Sequence, residues 1–173
     1  MEILDKDDLD LRDAVEIIAL NNDYSPIAQD IAQSIYDNGL CRDSITTVLE
    51  NHKIGNVKDL KNELLDFIID YIEIVLNDHI ISEKERKNVS LLKRYFKIEE
   101  GDFYKLRSGE IALIFHKQFE WIYADGVVTE DEEIHEFEIY GMFDLGYDQF
   151  LEFFEKDTFI KETYHYFSNR NKN

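Results

Sequence analysis

The chain has 173 residues, enough for one domain or for a small domain with a helical extension, and its only cysteine, Cys41, cannot form an internal disulfide, which excludes a fold stapled by an oxidising compartment. Its 38 acidic residues against 19 basic ones give a net charge of −19. That field repels phosphate backbones and anionic membranes, arguing against nucleic acid as a direct ligand and for cations or basic protein surfaces as partners. The most apolar run, 67–76, is broken by Asp70 and Glu73, and the opening MEILDKDDLD is acidic with no apolar stretch, so neither a membrane span nor a secretory signal is read and the expected location is cytoplasmic.

With one proline and seven glycines the chain carries few enforced breaks, and its apolar residues recur at three-four spacing. Ala14, Ile17, Ile18 and Leu20 predict a first helix that ends near Asn21 and Asn22, before a turn at Asp23 to Ser25. Ser25 caps a second helix with Pro26 at its first position and Gly39 just past its end. A short third helix starts at Asp43 or Ser44 and runs through Val48 and Leu49, followed by a loop over 52–56. From Leu60 to Leu76 the pattern predicts a long, largely buried helix. No strand is predicted, because the β-branched runs are short and continue into helical periodicity. The fold class is therefore all-α. Of 23 aromatic residues, 19 lie from Tyr95 onward, which places the main core in the C-terminal half, with Phe115, Phe119, Trp121 and Ile122 in it.

The second half is an internal repeat. Sliding the chain by 47 positions aligns IEIVLNDHIISEKERKNVSLLKRYFKI (72–98) with FEWIYADGVVTEDEEIHEFEIYGMFDL (119–145) without a gap, pairing Glu73 with Glu120, Asp78 with Asp125, Glu83 with Glu130, Glu85 with Glu132 and Phe96 with Phe143. A short further helix can follow in each copy, around Phe103 to Leu106 and Phe150 to Phe154, so that the repeat spans 72–103 and 119–150. The domain organisation read from this is an N-terminal helical extension over 1–56, a repeat domain over 57–167 and a frayed tail over 168–173.

Each copy reads as helix, acidic turn, helix. Gly126 supplies a left-handed stop, Ile80-Ile81 and Val127-Val128 dip into the core, Ser82 and Thr129 are N-caps, and Glu85 and Glu132 complete capping boxes. Glu83, Glu130 and Asp131 sit in first turns, where the helix dipole favours acids, and form the candidate partner surface. Asp78 and Asp125 recur at one point and would meet if the copies packed about a pseudo-twofold axis, giving hard oxygen ligands for calcium or magnesium. An EF-hand is excluded: with Asp125, Gly126, Val128 and Glu132 at loop positions five, six, eight and twelve, positions one and three are Trp121 and Tyr123, or Ile74 and Leu76 in the other copy.

WIYADGVVTEDEEIHEFEIYGMF and its partner VLNDHIISEKERKNVSLLKRYF resemble the TerB-like family, associated with tellurite resistance and with stress or phage defence. The resemblance covers roughly Leu60 to Phe154 and rests on the turn at Asp125-Gly126, the two apolar residues, the Ser or Thr cap and the Glu that closes the box. It implies an all-helical fold of two related halves with an acidic surface for divalent ions or partner proteins. By position, Asp125 and Glu132 carry over in the second copy and Asp78 and Glu85 in the first, which departs from the motif at Asn77 and His79.

Enzymatic signals are sparse. Glu132 with His135 and Glu162 with His165 have the Glu-x-x-His spacing of di-iron bundles but lack two further inward glutamates on long paired helices. Cys41 has no activating partner and is read as inert, no glycine loop or zinc spacing occurs, and His52, His79, His116 and His135 are read as surface or edge residues. The expected function is a non-enzymatic acidic interaction or sensor module of a bacterial stress or defence system, engaging a divalent cation or a basic partner protein. The rivals are a metal-dependent enzyme using Asp78, Glu85, Asp125 and Glu132 together with His79 or His135, and a plain structural adaptor in which those acids only cap helices.

Overall fold

The computed structural model describes residues 10–20 and 24–156, and among them every regular element is helical. The chain divides between Glu99 and Glu100 into two compact units.

The first unit contains α1 (Leu11–Ala19), α2 (Pro26–Asn38), α3 (Arg42–Asn51), α4 (Lys61–Val75) and α5 (Glu83–Phe96). α1 is started by Asp10, whose carboxylate accepts from the Arg12 amide at 3.0 Å, and it buries Ala14, Val15 and Ile18. Ile17 and Leu20 instead face outward, so the inward stripe of α1 differs from the spacing that signals it. The stretch expected to close this helix, 21–23, lies outside the described residues, as do Glu162, His165 and the tail over 168–173. Ser25 caps α2 as the sequence dictates, Pro26 opens it, and Gly39 ends it at φ 73°.

The described residues of 1–56, a segment read from the sequence as an extension, share this unit with α4 and α5. Two polar ties explain why. The Glu63 carboxylate of α4 receives both the backbone amide and the hydroxyl of Ser25, the latter at 2.7 Å. The Tyr24 hydroxyl donates to Asp70 Oδ2 at 2.6 Å, and burial beside that carboxylate pushes the phenol far above its ordinary value. Beneath these ties α4 buries Leu64, Leu65, Phe67, Ile68, Tyr71 and Ile72 and packs against α1, which buries Ala14, Val15 and Ile18, and against α5, which buries Val89, Leu92 and Phe96, with Phe67 and Phe96 ring to ring at 5.6 Å. Each such side chain contributes roughly 1.5–3 kcal/mol on burial.

The second unit contains α6 (Asp102–Ile122), α7 (Glu130–Met142) and α8 (Tyr147–Lys156). α6 breaks at Arg107, at φ −139° and ψ 27°, so 102–106 stands as the expected short helix and 108–122 as a separate straight segment. Its core is aromatic: the Phe115 ring lies 5.4–6.0 Å from Phe153, Phe150, Phe119 and Phe143. The expectation of one main core in the C-terminal half is corrected, because each unit has its own. Aliphatic side chains fill the first as effectively as rings fill the second, and aromatic counting does not see them.

The helices recur at the offset of the repeat. α4 spans 61–75 and the straight part of α6 spans 108–122; α5 begins at Glu83 and α7 at Glu130, each 47 positions later. The turn residues follow: His79 and Gly126 are both left-handed, at φ 62° and 81°, and so are Lys97 and Asp144, at φ 55° and 52°.

Candidate functional site

The two acidic turns have the same internal wiring. In the first, the Ile80 amide donates to Asp78 Oδ1 at 3.0 Å, the Ser82 amide donates to Glu85 Oε2 at 2.8 Å, and the Glu85 amide donates back to Ser82 Oγ at 3.2 Å. In the second, the Val127 amide donates to Asp125 Oδ1 at 2.9 Å, the Thr129 amide to Glu132 Oε2 at 2.7 Å, and the Glu132 amide to Thr129 Oγ1 at 3.3 Å. All four candidate metal ligands, Asp78, Glu85, Asp125 and Glu132, therefore hold their own turns, through Asx turns and capping boxes. Glu85 is buried with its bonds satisfied by the box. Among the described residues no group of three or more His, Cys, Asp or Glu is placed to hold a metal ion.

Only half of each apolar pair turns inward. Ile81 is buried while Ile80 is 54 % exposed, and Val127 is 60 % exposed beside a half-buried Val128. The expectation that both residues of each pair dip into the core is corrected: the extended residue before the N-cap alternates faces, so one of two neighbours must point out.

His79 reproduces the left-handed turn of Gly126 with a side chain that resists it. Gly126→Ala is expected to cost the second unit about 1 kcal/mol, whereas His79→Gly is expected to stabilise the first by about 0.5–1 kcal/mol. Urea unfolding followed by circular dichroism measures both, and a loss from His79→Gly would show that the imidazole contributes more than the turn costs.

Behind each turn lies a buried polar pair that residue matching cannot see. The Asn88 amide of α5 donates to the Tyr71 hydroxyl of α4 at 3.0 Å, and at the same positions of the other copy His135 of α7 lies with Nε2 3.2 Å from Gln118 Oε1 of α6. His135 is buried, with the edge-packed Trp121 ring at 5.8 Å, so it is a core residue and not the surface histidine expected, and Trp121, 40 % exposed, is not the core residue expected. The Glu132–His135 pair consequently forms no common metal face: the glutamate caps Thr129 while the imidazole turns into the unit. Beside it, Glu136 is half-buried, and burial pushes its carboxyl up to about 7, the Tyr123 hydroxyl at 3.3 Å working in the opposite direction. Cys41 contacts the neutral hydroxyl of Ser44 at 3.1 Å.

The outward faces of the two equivalent helices differ in charge. α5 carries the exposed Glu83 against Lys84, Arg86, Lys87, Lys93 and Arg94, so that acid stands among cations. α7 carries six acids and neither lysine nor arginine. On its outer stripe Glu130, Glu133, Ile134 and Phe137 are exposed, flanked by Asp131, with Phe137 at 61 % exposure and Ile134 at 50 %. Its inner stripe is His135, Ile139 and Met142. Sequence reasoning named Glu130 and Asp131 but missed Ile134 and Phe137. The signal was present: Ile134 and Phe137 lie three apart, on the side of the helix opposite Ile139 and Met142.

Compared with known proteins, the chain matches no family model, no curated protein and no solved structure.

Proposed function

We propose that this chain is a non-enzymatic interaction module, acting in the cytoplasm as part of a bacterial stress or defence system in the way the TerB-like resemblance implies, and that it takes a basic, amphipathic helix of a partner protein on the outer face of α7. The observation that carries this reading is the composition of that face. An exposed Ile134 and Phe137 are bordered by Glu130, Asp131 and Glu133, with no lysine or arginine on the helix. Apolar side chains supply the contact area and the acids select a partner of opposite charge and speed its approach. The net charge of −19 acts in the same direction. No helix among the described residues is long and apolar enough to cross a membrane.

The calcium or magnesium reading, and the metal-dependent enzyme that would share it, draw on Asp78, Glu85, Asp125 and Glu132. Each of these already spends one oxygen on a backbone amide of its own turn. That use supports the interaction reading over both, and the plain adaptor differs from it only in leaving the α7 face uncovered.

A fluorescently labelled, helical Lys/Leu peptide is the probe. Binding measured by anisotropy is expected to weaken steeply with salt and to fall about 10- to 100-fold in Glu130→Lys/Asp131→Lys/Glu133→Lys and in Phe137→Ser. Equal binding by wild type and both variants would sink the assignment of the face, and no binding by wild type would leave the adaptor reading in its place.

A further inference from the structure

Within the first unit, the side of α3 carrying Arg42, Ile45 and Leu49, the turn through Val57 and the C-terminal end of α5 enclose a cavity of about 570 Å³. Small-molecule sites occupy this size range, ~300–1,000 Å³. Its charged lining is Arg42, Arg94 and Lys97 against a single acid, Glu50, a local excess of cations in a chain with twice as many acids as bases.

Cations in such a chain are readily claimed by carboxylates, as Lys58 and Lys61 are by Glu99 and Lys84 by Asp10. Among the described residues Arg42, Arg94 and Lys97 have no carboxylate partner. Arg42 also runs against local preference. It occupies the first position of α3, where the helix dipole favours an acid, and the preceding Cys41 gives no side-chain cap to the amides of that end. The Arg94 guanidinium lies 5.1 Å from the centroid of the Tyr95 ring, so the α5 wall pairs a cation with an aromatic surface. Beside the charges, Ile45, Leu49 and Val57 give the lining an apolar part.

We propose that this cavity binds an organic anion of roughly nucleotide size, whose phosphate or carboxylate is held by Arg42, Arg94 and Lys97 and whose apolar or aromatic body lies against Ile45, Leu49 and Val57. The cations supply charge-assisted hydrogen bonds, and the apolar side chains add contact area that an inorganic anion cannot use. The site is independent of the α7 face and stands whether or not that face binds a helix.

The test uses 1-anilinonaphthalene-8-sulfonate, an aromatic anion that fluoresces on binding, with the full-length protein carrying Phe137→Ser so that the exposed ring of α7 offers no competing surface. One saturable site per chain is expected, with affinity reduced about 10- to 100-fold in Arg42→Gln/Arg94→Gln and by a smaller factor in each single variant, while Lys117→Gln changes nothing. Thermal unfolding of the variants checks that the fold is kept. Displacement of the dye by adenosine 5′-monophosphate assigns the anion as a phosphate, and displacement by octanoate assigns it as a carboxylate. Dye binding unchanged in the arginine variants, or displaced by neither competitor, overturns the proposal.

Discussion

Phe115→Ala is expected to cost the second unit about 3–5 kcal/mol, the range for removing a buried ring whose neighbours cannot close the gap. Phe115 is fully buried and its ring meets those of Phe119, Phe143, Phe150 and Phe153, contributed by α6, α8 and the turn between α7 and α8. The contacts with Phe143, Phe150 and Phe153 are edge-to-face and the one with Phe119 is tilted; aromatic pairs add about 0.5–1.5 kcal/mol each beyond area burial, and all of these disappear together. The only tryptophan, Trp121, belongs to the same unit, so urea unfolding followed by its fluorescence reads this loss directly. Leu113→Ala on the same helix, at a position 72 % exposed, is the control and is expected to change stability by no more than about 0.5 kcal/mol. A Phe115→Ala cost as small as that of the control would refute the aromatic cluster as the core of this unit.

Glu136→Gln is expected to make the protein more stable at alkaline pH and to leave it unchanged in acid. The Glu136 carboxyl ionises at about 7 in the folded protein against an ordinary 4.5, because burial disfavours its charged form. The folded state therefore holds the proton more tightly than the unfolded chain. The resulting stability is fully present below about 4.5 and is lost as pH rises through about 7. By pH ~8 the loss amounts to about 1–3 kcal/mol, reduced from the full linkage value because the side chain retains some contact with water. Glutamine keeps the hydrogen-bonding partner for Tyr123 without a charge to desolvate. Subtracting the stability curves of wild type and variant across pH removes most of the general repulsion from the −19 charge that both share. Parallel curves would show that water reaches Glu136 and that its carboxyl titrates as an ordinary one.

Both expectations concern residues whose importance is set by what packs over them, and in this they differ from the acidic turns. Asp78 and Asp125 suggest ligands because they recur, yet each closes a turn two residues long. A recurring carboxylate is as well explained by a recurring backbone need as by a recurring ligand, and hydrogen-bond geometry separates the two. The opposite holds for the buried pairs. Asn88 with Tyr71 and His135 with Gln118 perform one task at equivalent positions with four different residue types, so similarity scoring passes over them while the fold preserves the contact.

Local sequence patterns specify the all-helical class, the capped ends of α2, α5 and α7 and the repeat, whereas α3 starts at Arg42, ahead of the expected Asp43 or Ser44. Ser25 with Pro26, Ser82 with Glu85, Thr129 with Glu132 and the glycines Gly39 and Gly126 satisfy backbone groups within a few residues of themselves, so their chemistry is complete before any tertiary contact forms. Packing alone sets which member of Ile80-Ile81 is covered, that His135 lies inside and Trp121 toward water, that Ile134 and Phe137 are left on the surface, and that Arg42, Arg94 and Lys97 line one cavity. Periodicity marks the apolar stripes of a helix but not which of them another element covers, and a cation's neighbours depend on chain segments some fifty residues away. Local hydrogen bonding is written in adjacent residues, whereas burial and charge environment are properties of the assembled unit.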